Sequence, residues 1–247
     1  MGGALLQAWL DQGFEGSRIR VIDPDPAPQI HGLCLARGVL LEPPLSPPEV
    51  LVLAIKPQSL DTAAPQLAAM TDVGTLVISI LAGKTMADVL DRLPHTRSIV
   101  RAMPNLPAAI GRGVTGAVAN AAATAGQRKA ADTLLSVVGK VEWLDKEALI
   151  DAVTAVSGSG PAYVFYLAEC LAEAGRAAGL PAAMAARLAR ATVEGAGALL
   201  AASPDQTPAA LRQSVTSKGG TTAAALDVLM HDEGLKPLLE KAVLAAK

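Results

Sequence analysis

Apolar residues follow two different rhythms along this chain. Up to about residue 146, short unbroken apolar runs alternate with stretches of three-to-four spacing. The run 50–55 (VLVLAI) carries no polar residue at all, the mark of a strand covered on both faces of a parallel sheet. The same reasoning predicts strands at 18–22, 39–41, 76–80, 98–101, 114–118 and 140–143. Helices are expected at 2–13, 29–37, 59–70, 86–92 and 124–137. Strands alternating with helices at this spacing predict an α/β domain, a doubly wound parallel sheet. The proline-rich patch 43–48 (PPLSPP) reads as a surface connection between two strands.

Beyond residue 146 no further strand is expected. Helices are predicted at 147–156, 161–178, 182–202, 208–216, 222–231 and 234–246, with breaks at Gly179-Leu-Pro181 and Ser203-Pro204. The change of rhythm predicts two domains, 1–146 and 147–247, the second all-helical. Helix 182–202 carries alanine on nearly every side, together with Gly195 and Gly197. Such a helix is expected to be buried between neighbours, and the domain that offers it is expected to dimerise.

Composition then removes several classes of function. Lys plus Arg is 21 against Asp plus Glu 23, which leaves no basic field for nucleic acid or an anionic membrane. Only 2% of residues are aromatic, too few for base-stacking platforms. No apolar run reaches the length of a membrane span, and residues 1–15 lack the basic start and apolar block of a signal peptide. Cys34 and Cys170 lie far apart and outside any CxxC, as expected of reduced thiols in a cytoplasmic protein. His31, His95 and His231 are scattered singly, so no metal site is expected.

Five stretches can carry chemistry. Ser214–Thr222 runs through Gly219-Gly220 into an alanine-rich helix, with Thr221 or Thr222 as the expected N-cap. Its free N–H groups and helix dipole suit a carboxylate or phosphate, although a plain capped helix has the same local features. At the start, Gly2 opens a helix and Asp23 follows the next strand. They match the last glycine of a Rossmann-like dinucleotide motif and the acidic residue that takes ribose hydroxyls. LAIKPQ (53–58) and RAMPNLP (101–107) stand at the carboxyl ends of strands, where open α/β sheets bind ligands. SGSGPAY (157–163) opens the long helix of the second domain, with Pro161 fitting its first turn; it can equally be only a cap.

Together, LAIKPQ (53–58), RAMPNLPA (101–108), SGSGPAY (157–163) and VTSKGGTTAAAL (215–226) resemble the pyrroline-5-carboxylate reductases, in order and over nearly the whole chain. The resemblance implies a Rossmann-like domain followed by an all-helical dimerisation domain. It implies hydride transfer from NADPH or NADH to the C=N carbon of a cyclic imino acid, the last step of proline synthesis. It implies a homodimer whose dimers can assemble into a larger ring.

Carried over, Ser217, Gly219, Gly220, Thr221 and Thr222 hold the substrate, with carboxylate contacts from Ser217 and the N–H groups of Gly220 and Thr221. Ser217 and Thr222 are the catalytic pair, the Thr222 hydroxyl meeting the ring nitrogen. Gly2, Asp23, Ala54, Ile55, Lys56, Pro57, Ala82 and Asn105 bind the cofactor.

The chain departs from the family pattern in having Lys218 where proline is usual and Leu106 where threonine is usual. Asp23 favours NADH, whereas family habit favours NADPH, and the choice stays open at this level. Met1-Gly2 matches the final letters of a GxGxMG motif, so the first domain is expected to lack its first strand and earlier glycines, and the terminal helix reads as short. Two other readings compete. One is a related imine or β-hydroxy-acid reductase, the β-hydroxy-acid kind being opposed by the absence of lysine in helix 161–178. The other is a non-catalytic nucleotide-binding descendant.

Overall fold

In a computed structural model describing all 247 residues, Leu76–Ser79 displays the logic of the sheet. Leu76 and Ile78 enter one hydrophobic cluster and Val77 enters another, because successive strand side chains point to opposite faces. All four residues are buried, so both faces are covered.

The strands are β1 (Val50–Leu53), β2 (Leu76–Ser79), β3 (Ser98–Met103), β4 (Gly113–Ala119) and β5 (Gly139–Trp143), side by side in that order. Helix α3 (Leu60–Met70) and α4 (Met86–Leu90) cover the face of Val77 and Ile99. Helix α5 (Ala125–Ser136) covers that of Ile78 and Val100, and α1 (Gly2–Asp11) packs beside it over Val52 and Ile80. Trp9 pins α1 to α5 by donating its indole N–H to the Leu134 carbonyl at 2.8 Å. Helices on both faces make the doubly wound layering expected for the first domain.

Three strand pairings are parallel and one, β3 with β4, is antiparallel. The connection between them, residues 104–112, is too short to hold a crossover helix, so the chain must turn back on itself. Pro104, Pro107 and Gly111 (φ +68°) shape that turn. The strands expected at 18–22 and 39–41 shrink to one parallel bridge, Arg20 with Leu40, outside the five-stranded sheet. Val21 N–H to Leu40 O (2.9 Å) and Leu40 N–H to Ile19 O (3.0 Å) hold it. Helix α2 (Pro28–Arg37) joins the two segments and closes a small cluster with α1 around Leu6, Leu10, Cys34 and Val39.

The chain divides into compact units Met1–Gly158 and Ser159–Lys247. The expected single helix over 147–156 is instead a 3-10 turn (Glu147–Leu149), helix α6 (Ile150–Val153) and a wider π-type turn (Thr154–Gly158). These residues pack on the sheet: a Cβ on Gly116 of β4 would lie 2.6 Å from Val153 Cγ1, so only glycine admits α6 this closely.

The second unit is all-helical: α7 (Gly160–Ala177), α8 (Ala182–Ala202), α9 (Pro208–Ser214), α10 (Thr221–Leu229) and α11 (Leu235–Ala246). Helix α7 packs on α8 where Gly175 faces Ala185. The expectation that 182–202 is buried between neighbours is corrected within this chain. Only Ala185 and Ala189 of α8 are buried, while Leu188, Leu199 and Leu200 are about half exposed. No helix is long and apolar enough to cross a membrane.

Candidate functional site

The carboxyl-end edge of the parallel strands collects most of the residues proposed to bind a nucleotide. Ala54 follows β1, and Ala82 and Gly83 (φ +70°) follow β2 beside it. These small residues are exposed and leave an open shelf. The first turn of α1 abuts it, since a Cβ on Gly2 would sit 3.0 Å from Ala54 Cβ. No side chain caps α1, so its first N–H groups stay open at the positive end of a ten-residue helix. Ile55 and Pro57 are half-buried, and exposed Lys56 precedes the 3-10 turn Pro57–Ser59.

Asp23 reaches the same corner by another route. A Cβ on Gly3 would lie 2.7 Å from Ile30 Cδ1, so the first turn of α1 rests against the first turn of α2. The loop carrying Asp23 leads directly into that turn. Asp23 is exposed, and its Oδ1 accepts the Asp25 N–H at 3.1 Å. A glycine-lined helix start, an open shelf and an acidic loop beside it fit the pyrophosphate and ribose of a dinucleotide.

Asn105 behaves differently. It is buried, its amide donates to the Ser157 carbonyl at 3.0 Å, and its carbonyl oxygen accepts the Val114 N–H at 2.9 Å. The side chain therefore ties the end of β3 to β4 and to the π-type turn, rather than standing free towards a ligand.

Sequence reasoning passed over Arg101, although a lone charge inside an apolar strand is a signal. Its guanidinium is buried and pairs with Glu147 at 3.0 Å and Asp151 at 3.8 Å. The same Glu147 oxygen accepts the Met86 N–H at 2.7 Å, joining the first turn of α4 to the connector that leaves the sheet. Ser157, the first residue of the SGSGPAY stretch, has its Oγ buried without a partner. The strand-end loop before α4 is fixed by a capping box between Thr85 and Asp88. The backbone N–H and hydroxyl of Thr85 hold the Asp88 carboxyl below its usual range.

In the second unit, Ser217–Gly220 forms a tight turn closed by Gly220 N–H to Ser217 O at 3.0 Å. Gly219 (φ +72°) takes the third position, where a type II turn needs glycine. The expected N-cap at Thr221 or Thr222 is corrected: Gly220 holds that position, and helix α10 begins at Thr221. Because the Gly220 N–H is committed to the turn, the open donors are those of Thr221, Thr222 and Ala223. No side chain caps them. Ser217, Lys218, Gly219 and Thr221 are exposed, and Thr222 is half-buried.

Over 249 aligned residues the chain is 40% identical to the pyrroline-5-carboxylate reductase of Pseudomonas aeruginosa, covering 100% of this chain and 90% of that protein. The chain belongs to the pyrroline-5-carboxylate reductase family. Residues 147–247 match the family model described as pyrroline-5-carboxylate reductase dimerisation. A solved pyrroline-5-carboxylate reductase from Coxiella burnetii superposes with a TM-score of 0.90 at 33% identity, over 99% of this chain and 92% of its own. The Plasmodium falciparum pyrroline carboxylate reductase, solved with NADP bound, superposes with a TM-score of 0.79 at 25% identity, over 100% of this chain and 91% of its own. For a reductase of this family, the dimerisation match falls on the helices that expose most apolar surface, including Phe165 at 55% and Val228 at 73%.

Proposed function

We infer that this chain reduces 1-pyrroline-5-carboxylate to L-proline with NADPH or NADH, the closing step of proline synthesis. One observation carries the assignment of the substrate site: the uncapped start of α10 behind the Ser217–Gly220 turn. A helix N-terminus with open N–H groups attracts a carboxylate. In this reading the N–H groups of Thr221 and Thr222 and the Ser217 hydroxyl hold the substrate carboxylate. Gly219 and Gly220 supply the turn that keeps those donors clear.

The bound nicotinamide supplies a hydride to the C=N carbon. What the chain's residues contribute is orientation and charge. The Thr222 hydroxyl meets the ring nitrogen, whose proton makes the adjoining carbon electrophilic. Lys218 adds positive charge beside the carboxylate. No strong general acid is needed, because the imine nitrogen arrives protonated, so the gain comes chiefly from holding the reacting carbons in register.

In the first unit, Gly2, Ala54, Ile55, Lys56, Pro57 and Ala82 line the nucleotide shelf, with Asp23 at the ribose end. Asn105 serves that shelf by fixing the end of β3. A second copy of the chain covers the apolar helices of 159–247, giving a homodimer that can extend to a ring. The cytoplasm suits the two free thiols, Cys34 and Cys170.

The test is imine-dependent oxidation of the cofactor. Thr222→Ala is expected to lower kcat by about 10- to 100-fold with an unchanged melting temperature. Unchanged kinetics would remove Thr222 from the mechanism, and absence of turnover in the parent chain would overturn the reductase reading.

A further inference from the structure

We propose that the 23–27 loop and the first turn of α2 make this enzyme selective for NADH over NADPH. The proposal rests on the nucleotide site inferred above. The loop stands at the start of α1, fixed there by the contact of Gly3 with Ile30. A bound dinucleotide with its pyrophosphate on that helix start presents its adenosine ribose to this loop.

The loop offers two carboxylates, Asp23 and Asp25, and no fixed cation; the exposed side-chain donors nearby are the neutral Gln29 amide and His31 in the first turn of α2. Residues 22–36 contain no Lys, Arg, Ser or Thr. Pro24, Pro26 and Pro28 have no N–H to give. The Asp25 N–H is spent on Asp23 Oδ1, and the N–H groups of Ile30 and His31 are spent on the Ala27 carbonyl at 2.8 and 3.0 Å. The next cation, Arg37, lies at the far end of α2, pairing with Asp11 and the Leu10 carbonyl. Arg20 is turned to Glu42 and the Glu42 and Pro43 carbonyls.

A ribose 2′,3′-diol has two hydroxyls to donate. Asp23, held in a proline-bounded turn with Oδ2 unspent, accepts them. A 2′-phosphate brings a charge of about −2 at pH 7 and needs donors or cations in the same place. It would meet Asp23 and Asp25 instead. The dipole of α2 favours an anion, but Pro28 removes one first-turn N–H and the Ala27 carbonyl takes two more, leaving those of Ala27 and Gln29. One partial positive end does not offset two full negative charges. The Plasmodium relative was solved with NADP, so the fold alone does not set the choice.

Isothermal titration of the full chain with ADP-ribose and with 2′-phospho-ADP-ribose tests this without turnover, and kcat/KM for NADH and NADPH gives a second readout. ADP-ribose is expected to bind about tenfold tighter or more. The double variant Asp23→Ser, Asp25→Lys is expected to shrink that ratio at least about tenfold, mainly by improving the phosphorylated ligand. Equal or tighter binding of 2′-phospho-ADP-ribose by the parent chain overturns the selectivity and leaves the reductase reading intact. An unchanged ratio in the variant overturns the role of the loop. Failure of both ligands to bind is a different result, and overturns the nucleotide site together with this proposal.

Discussion

Replacing Asn105 with alanine removes two hydrogen bonds from a side chain that is only 9% exposed. The Val114 N–H and the Ser157 carbonyl lose their partner together. A buried polar group left unsatisfied costs about 1–3 kcal/mol. Ser157 is half-buried and its π-type turn can relax, so the expected loss lies in the lower half of the sum, about 2–4 kcal/mol. For a chain of this length that lowers the melting temperature by roughly 4–16 °C.

Asn105→Asp separates the two bonds. It keeps an acceptor for Val114 but sets a carboxylate against the Ser157 carbonyl, so it is expected to destabilise at least as much as alanine. Urea and thermal melts at one fixed protomer concentration, each with and without nucleotide, measure this. If Asn105 acts through position, both variants lose stability equally in the two conditions. A variant with unchanged melting but weakened nucleotide binding would refute the reasoning and make Asn105 a direct ligand contact.

Arg101→Met is expected to lower stability by about 2–3 kcal/mol, and less in a Glu147→Gln background, because both changes break one shared pair; additive losses in a double-mutant cycle would show the pair to be idle. Gly139→Ala is expected to prevent normal folding. Gly139 has φ +142° and an added Cβ would lie 2.0 Å from the Gly113 carbonyl oxygen; a soluble variant with a parent-like melt would contradict that geometry. The Asp61 carboxyl is held below its usual range by its hydrogen bond to Arg92, and that of Asp88 by the Thr85 cap. A depressed folded pKa contributes stability above the unfolded value, about 3.9, and loses it as pH falls through the folded value. Chemical melts between pH 5 and pH 2 should therefore decline less steeply for Asp88→Asn than for the parent, and parallel curves would contradict the cap's role.

Much of the architecture was legible because burial on two faces leaves a strong mark. The run 50–55 could hardly be anything but an inner strand, and glycine and proline mark the helix breaks of the second unit. Strand direction was not legible, since alternation looks the same read either way. Only the short 104–112 connection betrays the reversal between β3 and β4. The bridge between Arg20 and Leu40 shows the opposite limit, a sequence rich in strand formers that makes a single pairing. The start of α10 was displaced by one residue because glycine caps nearly as well as threonine. The backbone bonds of Asn105 were not legible, since an amide that suits a ligand suits two backbone groups equally. Alanine on all sides of α8 hid which face packs on α7.

Within residues 159–247 the only buried side chains are Ala185 and Ala189, two methyl groups for five helices. So small an interior cannot hold that unit together by itself, while the sheet beneath Leu76 and Ile99 carries a core of its own. For residues 159–247, then, folding is expected to be a second-order reaction, its rate set by encounters with another chain and its completeness by how many are present. Dilution to nanomolar protomer should separate one unfolding transition into two. The early one, belonging to the helices, should shift with concentration, and the late one, belonging to the sheet, should not.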